Sequence, residues 1–78
     1  MVQISTRAAD LWAAIERATG ARADVRLTVS STRISVPAPP EDAPSWGELL
    51  KALRTADRWG SVTADGRTDV WAQIDEDG

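Results

Sequence analysis

The chain has 78 residues, no cysteine and no histidine, and its nine basic and twelve acidic residues give a formal net charge of −3. We expect one domain with a small core, because 42% of the residues are hydrophobic. The missing residue types exclude disulfides, thiolate chemistry, imidazole bases and the usual zinc ligands. The acidic balance argues against a general nucleic-acid binder. Absence of cysteine and of a signal-peptide pattern in residues 1–7 fits a cytoplasmic protein, and no apolar run approaches the roughly 20 residues of a membrane span.

The chain begins with a pattern that predicts a short strand and then a helix. Apolar residues alternate with a polar one over residues 2–4, as in a strand. Ser5 or Thr6 then offers an N-cap. Apolar residues recur at helical spacing up to Gly20, a residue that commonly ends helices, so we predict a helix over residues 6–19.

A β-hairpin is predicted next, over residues 25–36, where apolar and polar residues alternate. A two-residue turn at Ser31 and Thr32 would pair Val29 with Ile34 and would place all five apolar residues of the hairpin on one sheet face. Because Ser-Thr is a poor type I′ dipeptide, the loop could instead be a residue or two longer.

A proline-rich link and a second helix follow. Residues 37–44 contain four prolines and cannot join a central strand or sustain a helix, which indicates an extended connector. Ser45, followed three residues later by Glu48, is typical of a capping box. The apolar stripe behind this motif predicts a helix at about residues 46–56.

The last part of the chain predicts a second hairpin over residues 58–75. Asp65 and Gly66 form a strong type I′ dipeptide, and a turn there pairs Gly60 with Trp71. The predicted core face carries Trp59, Val70, Ala72 and Ile74. The predicted outer face carries Gly60, Val62, Asp69, Trp71 and Gln73. Residues 75–78 are expected to form a frayed acidic tail.

Together these elements predict an α+β fold with the order β-α-β-β-α-β-β. We expect a single domain over residues 1–78, made of two helix-hairpin units (5–37 and 45–75) joined by the link over residues 37–44. The simplest packing lays both helices on one face of an antiparallel sheet, which gives a two-layer sandwich.

The residue types and their spacing give no sign of catalysis. A serine nucleophile needs a base within hydrogen-bond reach. Without histidine the candidate base is Lys51, and no sequence motif pairs this lysine with a serine. The carboxylates of the second hairpin lack the spacing of a calcium loop, and no glycine-rich phosphate-binding motif is found in the sequence. We therefore expect a protein that is not an enzyme and has no cofactor and no metal site.

Trp71 is the strongest candidate for a binding residue. Its register places it on the outer face beside Val62, either as an exposed anchor or with its ring lying flat over Gly60. Our preferred hypothesis is a protein-protein interaction module that binds a basic partner surface, such as an inhibitor, antitoxin, immunity or phage-type anti-defence protein. Trp71 and Val62 would anchor the contact, and an acidic rim would steer it. That rim consists of Asp65, Asp69, Asp75 and Glu76. The same face, or an unpaired edge strand, could instead form a homodimer.

The alternative hypothesis is a small DNA-binding regulator that uses the second helix and the second hairpin as a wing. Arg58 and Arg67 would then contact phosphates, with Arg67 at the tip of the wing. In a variant of this hypothesis, the outer face of the first hairpin binds nucleic acid through Arg26 and Arg33. The hairpin and proline-rich link between the two helices exclude a helix-turn-helix.

Overall fold

A computed structural model describes residues 4–75 of the chain. In chain order its elements are α1 (Thr6–Thr19), β1 (Asp24–Leu27), β2 (Ser31–Pro37), α2 (Ser45–Leu53), β3 (Arg58–Ala64) and β4 (Arg67–Asp75). The four strands form one antiparallel sheet in the order β1-β2-β4-β3. Both helices pack against this sheet around one core, so the predicted α+β fold is confirmed.

The strand predicted at the start of the chain falls mostly outside the described residues. Of residues 2–4, only Ile4 is described, and it precedes α1 without joining the sheet. Its side chain packs against the core. The order of the described elements therefore begins with α1.

Helix α1 begins and ends where the sequence predicts. The side-chain oxygen of Ser5 accepts the backbone N–H of Ala8 at 3.1 Å, which caps the first turn. Gly20 ends the helix in the left-handed conformation, with φ of 69°, and its N–H donates to the carbonyl of Glu16 at 2.8 Å. The buried face of α1 consists of Ala8, Leu11 and Ile15.

Helix α2 does not form the predicted capping box. Pro44 occupies the N-cap position, and Ser45, which makes no capping hydrogen bond, is already helical. Two hydrogen bonds of Trp46 explain the missing cap. Its indole Nε1 donates to the Pro40 carbonyl at 2.8 Å, and its backbone N–H donates to the Ala43 carbonyl at 3.3 Å. These two bonds turn the chain into the helix one residue early, so the Ser45 hydroxyl no longer lies at the cap.

Helix α2 also ends at Leu53, three residues before the predicted end. The backbone N–H groups of Thr55 and Ala56 bond three residues back, to the carbonyls of Ala52 and Leu53, at 3.1 and 3.0 Å. This is the tighter 3₁₀ pattern, which often closes an α-helix. The hydroxyl of Thr55 reinforces the stop by donating to the Ala52 carbonyl at 2.7 Å.

The first hairpin turns at Val29 and Ser30, two residues earlier than predicted. Ile34 therefore lies opposite Val25 and not opposite Val29, and Val29 is 84% exposed. Because the pairing moves by an even number of residues, the strand residues keep the faces that the sequence assigns to them.

Thr28 explains the position of this turn. Its hydroxyl accepts the backbone N–H groups of Ser31 at 2.9 Å and Ser30 at 3.3 Å. The backbone N–H of Thr28 in turn donates to the Ser31 carbonyl at 2.8 Å. A threonine side chain that bonds the backbone in this way stabilises a tight turn without the positive φ that type I′ demands.

The second hairpin has the predicted turn and register. Asp65 and Gly66 adopt φ of 54° and 74°, as a type I′ turn requires. Gly60 lies opposite Trp71, and the pairing continues without a slip to the start of β3. The local turn signal is therefore sufficient to fix which residues of this hairpin share a face.

The predicted acidic tail over residues 75–78 is wrong at Asp75. It is the last residue of β4 and lies opposite Ser31 of β2, so it belongs to the sheet. Residues 76–78, the rest of the predicted tail, lie outside the described residues.

The core lies between the two helices and one face of the sheet. Helix α2 contributes Leu49, Ala52 and Leu53, and the sheet contributes Thr32, Ile34, Val36, Val70, Ala72 and Ile74. Trp59 lies on the same sheet face, as predicted, because it is opposite Ala72. However, β3 is an edge strand, and Trp59 remains 45% exposed.

A charged cluster joins the helix layer to the sheet. Arg7 of α1 donates to both carboxylate oxygens of Asp57, at 3.1 and 3.0 Å, and to the carbonyl of Thr55 at 3.0 Å. The carboxylate of Asp57 also accepts the backbone N–H of Asp75 at 2.8 Å. The hydrogen bonds from Arg7 and Asp75 lower the pKa of Asp57, because they stabilise its charged form.

We predict that Thr28→Val lowers the free energy of unfolding by about 1 kcal/mol, because it removes the hydroxyl that accepts two backbone N–H groups and keeps the branched shape. Urea denaturation checks this. Thr63→Val, which removes only the exposed hydroxyl contact between Thr63 and Thr68, is the control and should have a smaller effect. Equal stability of Thr28→Val and the wild type would contradict the role assigned to Thr28.

We also predict that Asp57 contributes to the acid sensitivity of the fold. Because its pKa is lower in the folded state, the stabilisation is present above its ordinary value of 3.8 and is lost as the pH falls through the folded-state pKa. Asp57→Asn should therefore be less stable than the wild type at pH 7 and should lose less stability on acidification. Unfolding by urea across the acid range measures both effects, with Asp42→Asn in the exposed connector as the control.

Candidate functional site

The sheet face that points away from the helices is open on all four strands. Side chains alternate along each strand, so the residues between the buried ones point to this side. We call it the open face. Its members on β1 and β2 are Asp24, Arg26, Ser31, Arg33, Ser35 and Pro37, and those on β3 and β4 are Arg58, Gly60, Val62, Ala64, Arg67, Asp69, Trp71, Gln73 and Asp75.

Trp71 lies near the middle of the open face and is half-buried. A Cβ atom built on Gly60 would lie 3.1 Å from the indole ring, so the ring packs directly on the glycine backbone. The guanidinium carbon of Arg33 lies over the ring at 4.3 Å from its centroid, a cation–π arrangement. Of the two alternatives for Trp71, the structure therefore has the ring packed over Gly60, and Trp71 is less exposed than Trp59.

A groove with a volume of about 320 Å³ runs beside the Trp71 ring. Its lining consists of Asp24, Arg26, Arg33, Ser35, Val62, Asp69 and Trp71. Val62 is 53% exposed and lies opposite Asp69, so an apolar side chain and a carboxylate face the same space. The groove therefore combines apolar walls with charges of both signs.

The charged residues of the open face differ in how they are paired. Arg26 lies 3.6 Å from Asp24, and Arg58 lies 3.5 Å from Asp75. Asp69 is half-buried and makes no ion pair or hydrogen bond with any side chain in residues 4–75. Asp69 is therefore the half-buried carboxylate of the groove that is free to pair with an incoming cation.

A larger hollow of about 400 Å³ lies between the two helices. Its lining consists of Ala14, Arg17, Ala18, Glu48, Lys51 and Ala52. Lys51 and Glu48 already lie 3.7 Å apart, and the remaining walls are three alanines and Arg17. This hollow offers no large apolar side chain as an anchor, so the open face is the better candidate site.

The predicted partner-binding residues come together on the open face, with two exceptions. Trp71, Val62, Asp69 and Asp75 lie on it, whereas Asp65 lies at the tip of the turn and Glu76 is outside the described residues. The rim is not purely acidic, because arginines alternate with the aspartates.

The arginines proposed as alternative nucleic-acid contacts lie on this same face. They are Arg26, Arg33, Arg58 and Arg67. Helix α2 packs on the other side of the sheet, so Arg58 and Arg67 do not lie beside it. The sequence does not predict that Arg26 and Arg33 share a face with the acidic residues, because the pairing of β2 with β4 has no local signal. Arg58 and Arg67 share that face through the second hairpin itself.

Comparisons with known proteins provide no identification. No family model matches the chain, and no curated protein or solved structure is significantly similar to it. Within residues 4–75, neither helix has the length and apolar character needed to cross a membrane. The same part of the chain contains no group of three potential ligand residues that could hold a metal ion.

We predict that Arg33 and Trp71 are energetically coupled. In a double-mutant cycle with Arg33→Ala and Trp71→Ala, the coupling energy should be about 0.5–1 kcal/mol, the range for an exposed cation–π pair. Urea denaturation of the four proteins measures it. A matched cycle uses Arg67→Ala in place of Arg33→Ala. Arg67 lies four residues from Trp71 along β4, so its coupling energy with Trp71 should be near zero. Equal values in the two cycles would contradict the cation–π contact.

Proposed function

We propose that this protein is a non-enzymatic interaction module whose open face binds a basic segment of a protein partner. The observation that carries this proposal is the unpaired carboxylate of Asp69, held in a groove between Val62 and Trp71. A lysine or arginine side chain fits this chemistry. Its aliphatic stem would lie on Val62 and along the edge of the indole ring, which Arg33 already covers from above, and its charge would meet Asp69.

The charges around the groove support this choice of partner. Asp24 and Arg26 largely neutralise each other, and Arg33 is held over the Trp71 ring. Asp69 therefore remains as the carboxylate available to an incoming group. The net charge of −3 for the whole chain would also steer a basic partner toward it.

The biological setting that we propose follows from the size of the domain. A small acidic protein in the cytoplasm that covers a basic surface on its target would act as an inhibitor, antitoxin, immunity or anti-defence protein does. In each of these roles the protein blocks its partner by occupying a surface, and no reaction is catalysed.

A second candidate function, nucleic-acid binding, is favoured by the four arginines on the open face. If the protein has this function, its affinity for an oligonucleotide should fall steeply with added salt and should be lower in Arg67→Ala. Fluorescence anisotropy with labelled single-stranded and duplex oligonucleotides at low salt separates this candidate from the preferred one.

Selection of a random-peptide display library on the immobilised domain tests the preferred function. We expect the enriched peptides to share a lysine or arginine flanked by apolar residues. Their affinity for Asp69→Asn should fall at least about tenfold, because a charge-assisted hydrogen bond in a partly desolvated site is lost. Isothermal titration calorimetry with the synthesised peptides measures this change.

Two further variants make the selection specific to the groove. Val62→Thr keeps the branched shape and removes apolar contact, so it should weaken the same peptides, whereas Asp42→Asn in the connector should not. Peptides without a basic residue, or equal affinity for the wild type and Asp69→Asn, would contradict the proposal.

A further inference from the structure

The two edges of the sheet differ in how well they are protected against pairing with another strand. The strand order leaves β1 and β3 at the edges. Strand β1 has four residues, two of which are the charged Asp24 and Arg26. Strand β3 has seven residues and contains no proline, no lysine and no charged residue after Arg58. Short strands, charges and prolines are the usual protection of an edge, so β3 is the unprotected one.

Hydrogen bonds on β4 identify which backbone groups of β3 are free. The carbonyl of Gln73 accepts the N–H of Asp57 and so points toward β3, whereas the carbonyl of Thr68 accepts the N–H of Ala38 and points away from it. Because these directions alternate along an antiparallel strand, the even-numbered residues of β3 bond to β4. The N–H and C=O groups on the free edge then belong to Trp59, Ser61 and Thr63.

Exposed apolar side chains flank this free edge on both sides of the sheet. Trp59 is 45% exposed on the helix side, and Val62 is 53% exposed on the open face. The other residues of β3 are also exposed, apart from Gly60, which the Trp71 ring covers. A row of unpaired backbone groups between two exposed apolar side chains is a template for a further strand.

We propose that two copies of this chain pair through their β3 strands, antiparallel and about a two-fold axis at Ser61, to form one continuous eight-stranded sheet. Ser61 is the central residue of β3, so an axis there pairs all seven residues of the strand. The N–H and C=O of Ser61 lie on the free edge, so the two copies of Ser61 form a hydrogen-bonded pair across the axis.

The side chains of β3 are self-complementary in this register. Val62 lies opposite Gly60 of the second copy and beside the Trp71 ring that covers this glycine, so two apolar side chains come together there. Arg58, which lies 3.5 Å from Asp75 of its own chain, is opposite Ala64 of the second copy and next to the acidic Asp65 at its turn, so it lies between two carboxylates. Exposed apolar surface is therefore covered, and opposite charges meet at both ends of the paired strands.

Substitution of Ser61 tests this dimer, since the two copies of residue 61 are directly opposite at the axis. Size-exclusion chromatography with light scattering should show a wild-type dimer whose dissociation constant rises at least about fivefold in Ser61→Lys and in Ser61→Asp, because like charges then face each other. A mixture of the two variants should form the heterodimer, which native mass spectrometry separates from both homodimers by mass. Ser30→Lys, at the exposed first turn, is the control and should dimerise like the wild type.

Three outcomes would overturn the inference: a wild-type monomer at ~1 mM, dimers of both Ser61 variants as stable as the wild type, or a mixture that shows no preference for the heterodimer. Circular dichroism of each Ser61 variant shows that it is folded before the mixture is read, so a poorly folded variant is not mistaken for a failure to pair. Failure of the dimer is distinguishable from failure of the proposed function, because Ser61→Lys leaves Val62, Asp69 and Trp71 unchanged and its affinity for the selected peptides is measured on the monomer.

Discussion

The alternation of side chains along β4 is the constraint on which the rest of this structure depends. This strand is bonded on both sides, so its register fixes the relation of β2 to β3. Val70, Ala72 and Ile74 close the core under the helices, while the residues between them form the centre of the open face. A slip by one residue would expose the first set and bury the second, which includes a carboxylate. The register of β4 therefore determines both the core and the candidate site.

Local signals were sufficient where a single interaction decides the structure. The type I′ dipeptide determines the second hairpin, and the serine cap with the glycine stop determines α1, so both could be predicted from the sequence. The predictions failed where another side chain bonded the backbone groups that the predicted motif would have used. The hydroxyl of Thr28 moves the first turn, and the indole of Trp46 bonds Pro40 and displaces the capping box. Such competition depends on the folded geometry, so the spacing of residues in the sequence does not predict it.

The candidate site could be predicted only in part, for a related reason. The face occupied by Trp71 and its contact with Gly60 follow from one hairpin, which the sequence predicts well. The guanidinium of Arg33 over the ring depends on the pairing of β2 with β4, elements that are far apart in the chain. The same nonlocal pairing adds Arg26 and Arg33 to the face that already carries Arg58 and Arg67, so a rim predicted to be acidic has mixed charge. The contact between Arg7 and Asp57, fifty residues apart, likewise has no sequence signal.

The close approach of the indole ring to Gly60 links the evolution of two positions. Any side chain at residue 60 would enter the space that the ring fills, so a mutation there is tolerated only if residue 71 is smaller or its ring tilts away. Conversely, loss of the ring removes the reason for a glycine in the middle of a strand, where this residue is otherwise unfavourable. Among homologues, residues 60 and 71 should therefore change together: glycine should accompany a large aromatic residue, and a β-branched residue should accompany a small one.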